Sequence, residues 1–247
     1  MNPFSIEGKT ILITGAASGI GRATAKLCSE MGASCVLLDL NEDGLKQTVS
    51  EMKEGNVDYY TLSLTDYDKV VEVVGMFPKV DGVASNAGIV TSLMAKFSDI
   101  KEAERIINVN TLSHIHLVQQ LITQKKLNKS ASIVFTSSMS GVYCGLIGGS
   151  LYGASKAALV GYSKALAIEL APRGIRVNTI HPGMIVTPLT KGTSLSQDVM
   201  DEDVKNYPLG RYGKPEEVAS AFVYLLSDAT VWMTGSQLLI DGGYSVR

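Results

Sequence analysis

Tyr152 and Lys156 are the first residues of this sequence whose types and spacing suggest catalysis. They stand four positions apart in a run, residues 151–171, that has apolar residues at helical intervals. On a helix both side chains therefore lie on one face, one turn apart. A free phenol has a pKa of about 10, and we expect Lys156, the helix N-terminus and a cationic cofactor ring together to lower the pKa of Tyr152. Such a tyrosine can take a proton from an alcohol or give one to a ketone near neutral pH.

Taken alone, Tyr152 could simply pack in the core and Lys156 could simply be solvated. A glycine-rich turn near the start of the chain favours a catalytic interpretation of the two residues. Residues 9–38 have the pattern of a strand, a glycine-rich turn, a helix and a second strand. Gly15 permits a tight turn, Gly19 lets a pyrophosphate approach the backbone, and Gly21 lets the helix pack closely on the sheet. The N–H groups at the helix start can bind phosphate oxygens. The unit predicts a dinucleotide site at Gly15, Ser18, Gly19, Ile20 and Gly21.

Asp39 ends the second strand, where a carboxylate reaches the adenosine ribose of a dinucleotide. There it would accept hydrogen bonds from both ribose hydroxyls and repel the 2′-phosphate of NADP. Leu40 follows it and Ser18 precedes the second glycine, so neither an arginine nor a lysine stands beside it to bind that phosphate. The sequence therefore predicts NAD rather than NADP. The alternative interpretation is an aspartate that only caps the next helix or stabilises a turn.

Strand and helix patterns alternate along the rest of the chain, which indicates a parallel sheet with helices on both faces. We predict strands at 57–62, 80–84, 132–136, 175–180 and 237–240, and helices at 41–53, 67–76 and 100–126. The fold class is thus α/β: a Rossmann-type doubly wound parallel sheet of about seven strands in a single domain, residues 1–247. Ligands bind such sheets at the carboxyl ends of the strands, which here are followed by Thr14, Asp39, Ser63, Asn86 and Ser138.

The composition narrows the class of protein and its partners. Of 247 residues, 45% are hydrophobic and 19% are charged, with a net charge of -2, so we expect a sizeable core and no nucleic-acid partner. No apolar run is long enough to cross a bilayer, and the first nine residues carry no signal core. The three cysteines share no metal-ligand spacing, and His114 and His116 point to different faces of a helix. We expect a cytoplasmic protein with reduced thiols, no membrane contact and no metal ion.

Taken together and in order, these motifs resemble the short-chain dehydrogenase/reductase family, in its single-domain branch, over residues 9–244. The matching motifs are Thr14-Gly15-x-x-x-Gly19-Ile20-Gly21, Asn86-Ala87-Gly88, Asn110, Ser138, Tyr152-x-x-x-Lys156, Pro182-Gly183-x-x-x-Thr187 and Asp241-Gly242-Gly243. The resemblance implies that Tyr152 is the general acid/base, that Lys156 lowers its pKa and binds the nicotinamide ribose, and that Ser138 positions the substrate oxygen. It implies that Asn110 holds a water of the proton relay. It also implies a homotetramer or a homodimer.

The same resemblance implies a cofactor site that extends beyond the glycine turn. Besides Tyr152 and Lys156, its residues are Asp39, Leu40, Ser63, Leu64, Asn86, Ala87, Gly88, Pro182, Gly183, Ile185 and Thr187. Three departures from the family pattern bear on the site. Ser63 stands where the family usually has an aspartate at the adenine, and Ser85 replaces an asparagine that braces the sheet. The loop from Ser138 to Tyr152 is one residue longer than the commoner spacing, which leaves Ser137 or Ser140 as alternative functional hydroxyls.

The class of substrate stays open between steroid, sugar, polyol and acyl ketones. We expect residues 138–152 and a lid, residues 184–214, to shape the pocket. The main prediction is an NAD(P)-dependent oxidoreductase that interconverts a small-molecule secondary alcohol and a ketone. One alternative is an NADPH-dependent 3-oxoacyl-[acyl-carrier-protein] reductase, with Lys125, Lys126, Lys129 and Arg173 as a basic patch for the acidic carrier. Another is a non-catalytic dinucleotide-sensing protein, which would have no need of Ser138, Tyr152 and Lys156 together.

Overall fold

The computed structural model describes residues 2–53, 55–188 and 197–247. Within these residues the strands are β1 (Thr10–Thr14), β2 (Ser34–Asp39), β3 (Val57–Thr61), β4 (Val80–Ser85), β5 (Leu127–Thr136), β6 (Arg176–Pro182) and β7 (Gln237–Ile240). They form one sheet in the order β3-β2-β1-β4-β5-β6-β7, and all neighbouring strands are parallel. The strand order reverses between β1 and β4, and the crevice at such a reversal is where ligands bind in open α/β sheets.

Helices cover both faces of this sheet, which confirms the predicted doubly wound fold. They are α1 (Gly19–Glu30), α2 (Glu42–Ser50), α3 (Tyr67–Met76), α4 (Ile100–Ile107), α5 (Ser113–Thr123), α6 (Ser150–Leu170), α7 (Gln197–Val204) and α8 (Pro215–Leu226). α3, α5 and α6 pack on one face through a cluster that includes Val73, Leu117 and Leu159. α1 and α8 pack on the other face through Cys28 and Phe222. None of the helices in the described ranges is long and apolar enough to cross a membrane.

The central strands are buried on both sides because successive side chains of a strand point to opposite faces of the sheet. On β1, Leu12 belongs to the cluster beneath α3, α5 and α6, whereas its neighbours Ile11 and Ile13 belong to the cluster beneath α1 and α8. On β5, Phe135 and Val134 divide between the two clusters in the same way. These strands therefore appear in the sequence as continuous apolar runs rather than as alternating ones.

The helical stretch predicted over residues 100–126 is present over residues 100–123 and contains a π-helical turn. α4 ends at Ile107, a π-helical turn spans Asn108–Leu112, and α5 then runs to Thr123. A π turn adds a residue to the helical turn, and such turns occur frequently at functional sites. Asn110 lies at the centre of this turn and is fully buried. The π-helical turn therefore contains Asn110, one of the residues in the family motifs.

Two further elements differ from the sequence-based prediction. β5 begins at Leu127 rather than at residue 132, so it is twice as long as predicted. α8 is a helix that the sequence analysis does not predict, although its start carries the usual signals. Pro215 occupies the first turn, and Glu217 accepts a hydrogen bond of 2.7 Å from the N–H of Lys214.

Candidate active site

α6 brings Tyr152 and Lys156 to the carboxyl edge of the sheet, beside the ends of β4 and β5. Only 3% of Lys156 is exposed, and its Nζ donates a hydrogen bond of 2.9 Å to the carbonyl oxygen of Thr136, the last residue of β5. A Cβ on Gly88 would come within 3.2 Å of the same Nζ. Burial lowers the pKa of Lys156 to about 8. The amino group of Lys156 is therefore held by the end of the sheet and not by bulk solvent.

Ser138 is the hydroxyl that the structure places against Tyr152. The two side chains are hydrogen-bonded, and Ser138 Oγ also accepts a bond of 3.1 Å from the N–H of Ser140. Ser137 Oγ instead donates to the carbonyl oxygen of Lys156 at 2.9 Å. Of Ser137 and Ser138, it is therefore Ser138 whose hydroxyl contacts the phenol of Tyr152, and its role toward a substrate oxygen stays a prediction.

The predicted lowering of the pKa of Tyr152 counts on the charge of a cofactor ring as well as on Lys156, so it stays a prediction. Burial raises the pKa of Tyr152, and the hydrogen bond with Ser138 offsets part of that rise. The Nζ of Lys156 is hydrogen-bonded to the carbonyl oxygen of Thr136. The predicted lowering therefore depends on the positive charge of the oxidised cofactor ring in addition to Lys156.

Asn110 uses its side-chain amide to join three parts of the chain. Its Oδ1 accepts a hydrogen bond of 2.8 Å from the N–H of Ile89, and its Nδ2 donates to the carbonyl oxygen of Ile89 at 2.9 Å. Nδ2 also donates to Ser155 Oγ at 3.0 Å, on α6 next to Lys156. A Cβ on Gly88 would lie 3.1 Å from Asn110 Oδ1. The amide thus braces the surroundings of Lys156, and the relay water implied at Asn110 stays a prediction.

The glycine turn of residues 15–21 has the geometry that a pyrophosphate requires. Gly15 and Gly19 have φ angles of +68° and +52°, the left-handed region that favours glycine. A Cβ on Gly21 would lie 2.0 Å from the carbonyl oxygen of Gly15. Ser18, the N-cap of α1, makes no side-chain cap, so the first-turn N–H groups of this 12-residue helix are available to phosphate oxygens. These residues fit a dinucleotide cofactor, and Ile20 lies in the same turn.

Asp39 stands at the end of β2 with its carboxylate against the glycine turn. Its Oδ2 accepts a hydrogen bond of 3.0 Å from the N–H of Ala17, and its Oδ1 accepts one of 2.9 Å from the N–H of Asn41. Leu40 beside it is 72% exposed. Arg22 is the cation of this turn, but its Nη2 donates to the carbonyl oxygen of Ala17 at 2.5 Å. Both carboxylate oxygens therefore accept from backbone N–H groups, the side chain of Arg22 is bonded to backbone and side-chain oxygens, and the contact of Asp39 with the ribose stays a prediction.

Ser63 and Leu64 follow β3 at the same edge of the sheet. Ser63 Oγ is 2.8 Å from Thr65 Oγ1, so it stabilises its own turn. Leu64 is half-buried against the core beneath α3. Since neither side chain is charged, a contact with adenine at this point would come from a hydroxyl or from the backbone.

Asn86 links the ends of β1, β4 and β5. Its Nδ2 donates to the carbonyl oxygen of Thr14 at 3.3 Å, and its Oδ1 accepts from the hydroxyl of Thr136 at 3.0 Å. The N–H groups of Asn86 and Ala87 both donate to Thr14 Oγ1 at 2.9 Å. The turn Asn86-Ala87-Gly88 is therefore held against the glycine turn, and the predicted position of Asn86 near the adenosine ribose stays a prediction.

The chain after β6 passes over the same crevice. Pro182 ends the strand, and Gly183 packs closely against the backbone of Asp241, since a Cβ on Gly183 would lie 3.0 Å from the Cα of Asp241. The side chain of Ile185 is buried in the core, and only its backbone can face a cofactor. Thr187 lies against the glycine turn, since a Cβ on Gly19 would be 3.2 Å from Thr187 Cγ2.

The two ends of the predicted lid, residues 184–214, are hydrogen-bonded to each other. The N–H of Gly213 donates to the carbonyl oxygen of Met184 at 3.0 Å, and the N–H of Val186 donates to the carbonyl oxygen of Gly213 at 3.0 Å. Tyr207 Oη accepts a bond of 3.2 Å from the N–H of Met184. Residues 189–196 of this segment lie outside the described residues. The parts on either side form a loop whose base is closed by backbone hydrogen bonds.

Ser85 and His114 form a buried polar pair that the sequence analysis misses. Ser85 Oγ lies 2.5 Å from His114 Nδ1, and His114 Nε2 lies 2.8 Å from the carbonyl oxygen of Ala87. Burial and then the charge of Lys156 lower the pKa of His114 to about 3, so the ring is neutral. Nε2–H therefore donates to Ala87, and Nδ1 accepts from Ser85. Among the described residues, no group of three or more His, Cys, Asp or Glu side chains could hold a metal ion.

Similarities to known proteins extend over nearly the whole chain. A family model described as Enoyl-(Acyl carrier protein) reductase matches residues 15–245. The 3-oxoacyl-[acyl-carrier-protein] reductase of Thermotoga maritima is 39% identical over 244 residues, which cover 96% of this chain and 98% of that protein. The NAD-dependent glycerol dehydrogenase of Listeria innocua is 36% identical over 251 residues, which cover 99% and 96%. A structure from Beutenbergia cavernae, provisionally assigned as an NAD(P)-dependent gluconate 5-dehydrogenase with NADP bound at low occupancy, has a TM-score of 0.93 at 31% identity and covers 100% of both chains.

Proposed function

Because this chain belongs to the short-chain dehydrogenase/reductase family, we propose that it interconverts a secondary alcohol and a ketone with NAD as the hydride carrier. The observation that carries the proposal is the cluster of Ser138, Tyr152 and Lys156 at the edge of the sheet that also holds the glycine turn. The hydrogen bond between Ser138 and Tyr152 leaves both hydroxyls facing one position. A substrate oxygen at that position would contact the proton donor and the positioning group together.

Each residue of the cluster has one task in this proposal. Ser138 holds the substrate oxygen opposite the phenol, and Tyr152 exchanges a proton with that oxygen. Lys156 has three N–H donors, of which Thr136 takes one, and the others are assigned to the nicotinamide ribose. Bound NAD supplies the ring that takes up or delivers the hydride and that carries a positive charge when oxidised. Asn110 keeps the Lys156 end of the cluster in place, and the homotetramer or homodimer stays a prediction.

The preference for NAD over NADP is proposed from the carboxylate of Asp39. We expect NADH to bind at least tenfold more tightly than NADPH in a fluorescence titration, because hydrogen bonds to a charged acceptor contribute about 1.5–3 kcal/mol each. The double variant Asp39→Ala/Leu40→Arg should invert that order, since it removes the repelling charge and adds a cation at an exposed position. Asp43→Ala, an exposed carboxylate at the start of α2, is the matched control.

The contrary result would be tighter binding of NADPH by the unmodified protein. Asp39 would then serve only to hold the backbone at Ala17 and Asn41. A double variant that keeps the preference for NADH would equally remove Asp39 and its neighbour from the adenosine ribose. Inversion by Asp43→Ala would indicate a general effect of charge and not a local contact.

Residues 184–214 are proposed as a lid that the cofactor orders. We expect limited proteolysis within this segment to slow at least fivefold when NADH is present, because a bound cofactor beside Thr187 and the glycine turn would hold the loop down. The closed base at Met184 and Gly213 confines the expected change to the residues between them. Cleavage at equal rates with and without NADH would contradict a lid that the cofactor orders.

An NADPH-dependent 3-oxoacyl-[acyl-carrier-protein] reductase is the second candidate function. It is supported by the Thermotoga maritima relative and by an open pocket of about 830 Å³ whose lining includes Lys79, Lys125, Lys129 and Arg173. Lys126 is not part of this basic lining, because its Nζ donates to the carbonyl oxygens of Gly75 and Phe77.

The basic pocket is far from the proposed catalytic residues, which is why we rank the carrier-protein reductase as the second candidate function. The pocket lies at the amino ends of β4 and β5. Regular pairing of β5 starts at Ser132, and the extended chain from there to Ser138 already spans about 20 Å. A carrier protein bound in this pocket would lie at one edge of the sheet, whereas Tyr152 lies at the opposite edge. Turnover of a 3-oxoacyl ester with NADPH, together with failure of sugar and polyol ketones with NADH, would promote this candidate to first place.

A further inference from the structure

His181 lies directly behind Ser138 and is completely buried. Its Nδ1 is 3.0 Å from the carbonyl oxygen of Ser138, and its Nε2 is 2.7 Å from Thr179 Oγ1. A carbonyl oxygen can only accept, so Nδ1 carries the proton and donates to Ser138. Nε2 then accepts from the hydroxyl of Thr179. Both ring nitrogens therefore have partners, and burial lowers the pKa of His181, which favours the neutral ring with its proton on Nδ1.

The imidazole of His181 adds a hydrogen bond between the chain after β5 and the end of β6. Beyond β5 the N–H of Ser137 donates to the carbonyl oxygen of Ile180 at 2.8 Å, and the N–H of Met139 donates to the carbonyl oxygen of Pro182 at 3.1 Å. The carbonyl oxygen of Ser138, between these two bonds, accepts a hydrogen bond from the side chain of His181. Three successive residues around the proposed substrate-positioning serine are thus tied to the end of β6.

Neighbouring groups hold the side chain of Ser138 against the phenol of Tyr152. Its Oγ accepts from the N–H of Ser140 and is hydrogen-bonded to Tyr152. With the carbonyl oxygen held by His181 and Oγ held by Ser140, the serine has little freedom to rotate away from the phenol. The ring of Tyr143, from the loop that shapes the substrate pocket, meets the imidazole edge-on with the ring centroids 5.2 Å apart. His181 thereby lies between the serine and the substrate loop.

We propose that His181 is a positioning residue for proton transfer, which holds the backbone of Ser138 so that the serine hydroxyl stays in line with Tyr152. The inference rests on the proposed function, because it assumes that Ser138 orients the substrate oxygen. It adds a residue that the sequence motifs do not include. Displacing a reacting group by about 1 Å can cost on the order of 100-fold in rate, so a residue that never touches the substrate can still control turnover.

Two substitutions separate this role from ordinary packing. His181→Asn keeps an N–H donor one bond beyond Cγ, the place of Nδ1, whereas His181→Leu keeps the bulk and removes the donor. We expect His181→Leu to lower kcat by about 10–100-fold with NADH binding changed less than about threefold. His181→Asn should restore kcat to within about threefold of the unmodified protein. Asn that does no better than Leu would overturn the proposal.

A double-mutant cycle with Ser138→Ala gives the second test. If His181 acts through the hydroxyl of Ser138, His181→Leu should cost less than about threefold in kcat once that hydroxyl is absent. If the loss in kcat of the double variant equals the product of the losses of the two single variants, His181 acts independently of the Ser138 hydroxyl, which would contradict the proposal.

Crystal structures of the two His181 variants keep this inference distinct from the proposed function. In the Leu variant the carbonyl oxygen and Oγ of Ser138 should move away from Tyr152, and in the Asn variant they should stay. An unmoved Ser138 in the Leu variant overturns the inference whatever the rates. Absence of turnover by the unmodified protein over a wide panel of ketones would instead count against the proposed function, and the crystallographic comparison would still decide the role of His181.

Discussion

Replacing Tyr152 with phenylalanine is expected to lower turnover by about 10²–10⁴-fold, the range that a positioned general acid or base contributes. The substitution removes one hydroxyl and keeps the ring, so the packing of α6 should be preserved. Ser138 loses its hydrogen bond to Tyr152 but keeps the one from the N–H of Ser140. NADH binding, measured by fluorescence titration, should stay within about threefold of the unmodified protein. The measurement is steady-state oxidation of NADH with the best ketone from a panel of sugar, polyol, steroid and 3-oxoacyl substrates.

Tyr162→Phe is the matched control for this substitution. Tyr162 lies on the same helix, half-buried, with its ring edge-on to Phe135 at a centroid distance of 5.9 Å, and it is remote from the cluster at Ser138. The control should keep the full rate. Full activity of Tyr152→Phe would remove Tyr152 from its assigned task. Tight NADH binding without turnover of any ketone by the unmodified protein would favour the dinucleotide-sensing alternative.

Replacing Gly21 with alanine is the second substitution from which we expect a large effect. The new Cβ would lie 2.0 Å from the carbonyl oxygen of Gly15 and 3.0 Å from Asn86 Nδ2, so the backbone of the glycine turn must move. Such overpacking costs typically about 1–3 kcal/mol in the free energy of unfolding. We expect NADH affinity to fall more than tenfold, because the N–H groups at the start of α1 would no longer meet the phosphate oxygens together. Urea unfolding and NADH titration measure the two effects.

Gly161→Ala shows what the same chemical change does where there is room. Gly161 lies inside α6 with no atom within 4 Å of the position that a Cβ would occupy. Alanine there should stabilise the protein by about 0.5–1 kcal/mol, since glycine in a helix interior is less favourable than alanine. NADH binding should not change. If Gly21→Ala left both stability and NADH affinity unchanged, the close approach of Gly15 and Gly21 would have no part in cofactor binding.

The parts of the site that sequence predicts best are those coded by local spacing. Tyr152 and Lys156 lie on one helix face because a four-residue interval is nearly one helical turn. Gly15 and Gly19 adopt positive φ angles because the turn between β1 and α1 needs them. The sheet and its helices follow from the alternation of apolar periods, which is why the fold was predictable without any long-range information.

The contacts that the sequence does not reveal join groups far apart in the chain. Burial of the phenol of Tyr152 raises its pKa, an effect that a Tyr–Lys spacing does not contain. The ammonium of Lys156 has a partner in Thr136, twenty positions away. The side chain of Asn110, in the π-helical turn, is hydrogen-bonded to Ile89 and Ser155, which are 21 and 45 positions away. None of these contacts leaves a periodic signal.

By itself, the sequence determined the order of the strands along the chain and the family to which the chain belongs, and it indicated the side chains that we propose as catalytic. It could do so because propensity, apolar periodicity and glycine spacing act over a few residues. Only the tertiary structure decided that Ser138 rather than Ser137 faces Tyr152, that Ser85 and His114 hold the turn after β4, and that His181 supports Ser138 from β6. Those choices depend on distances between strand ends that meet only when the sheet is assembled.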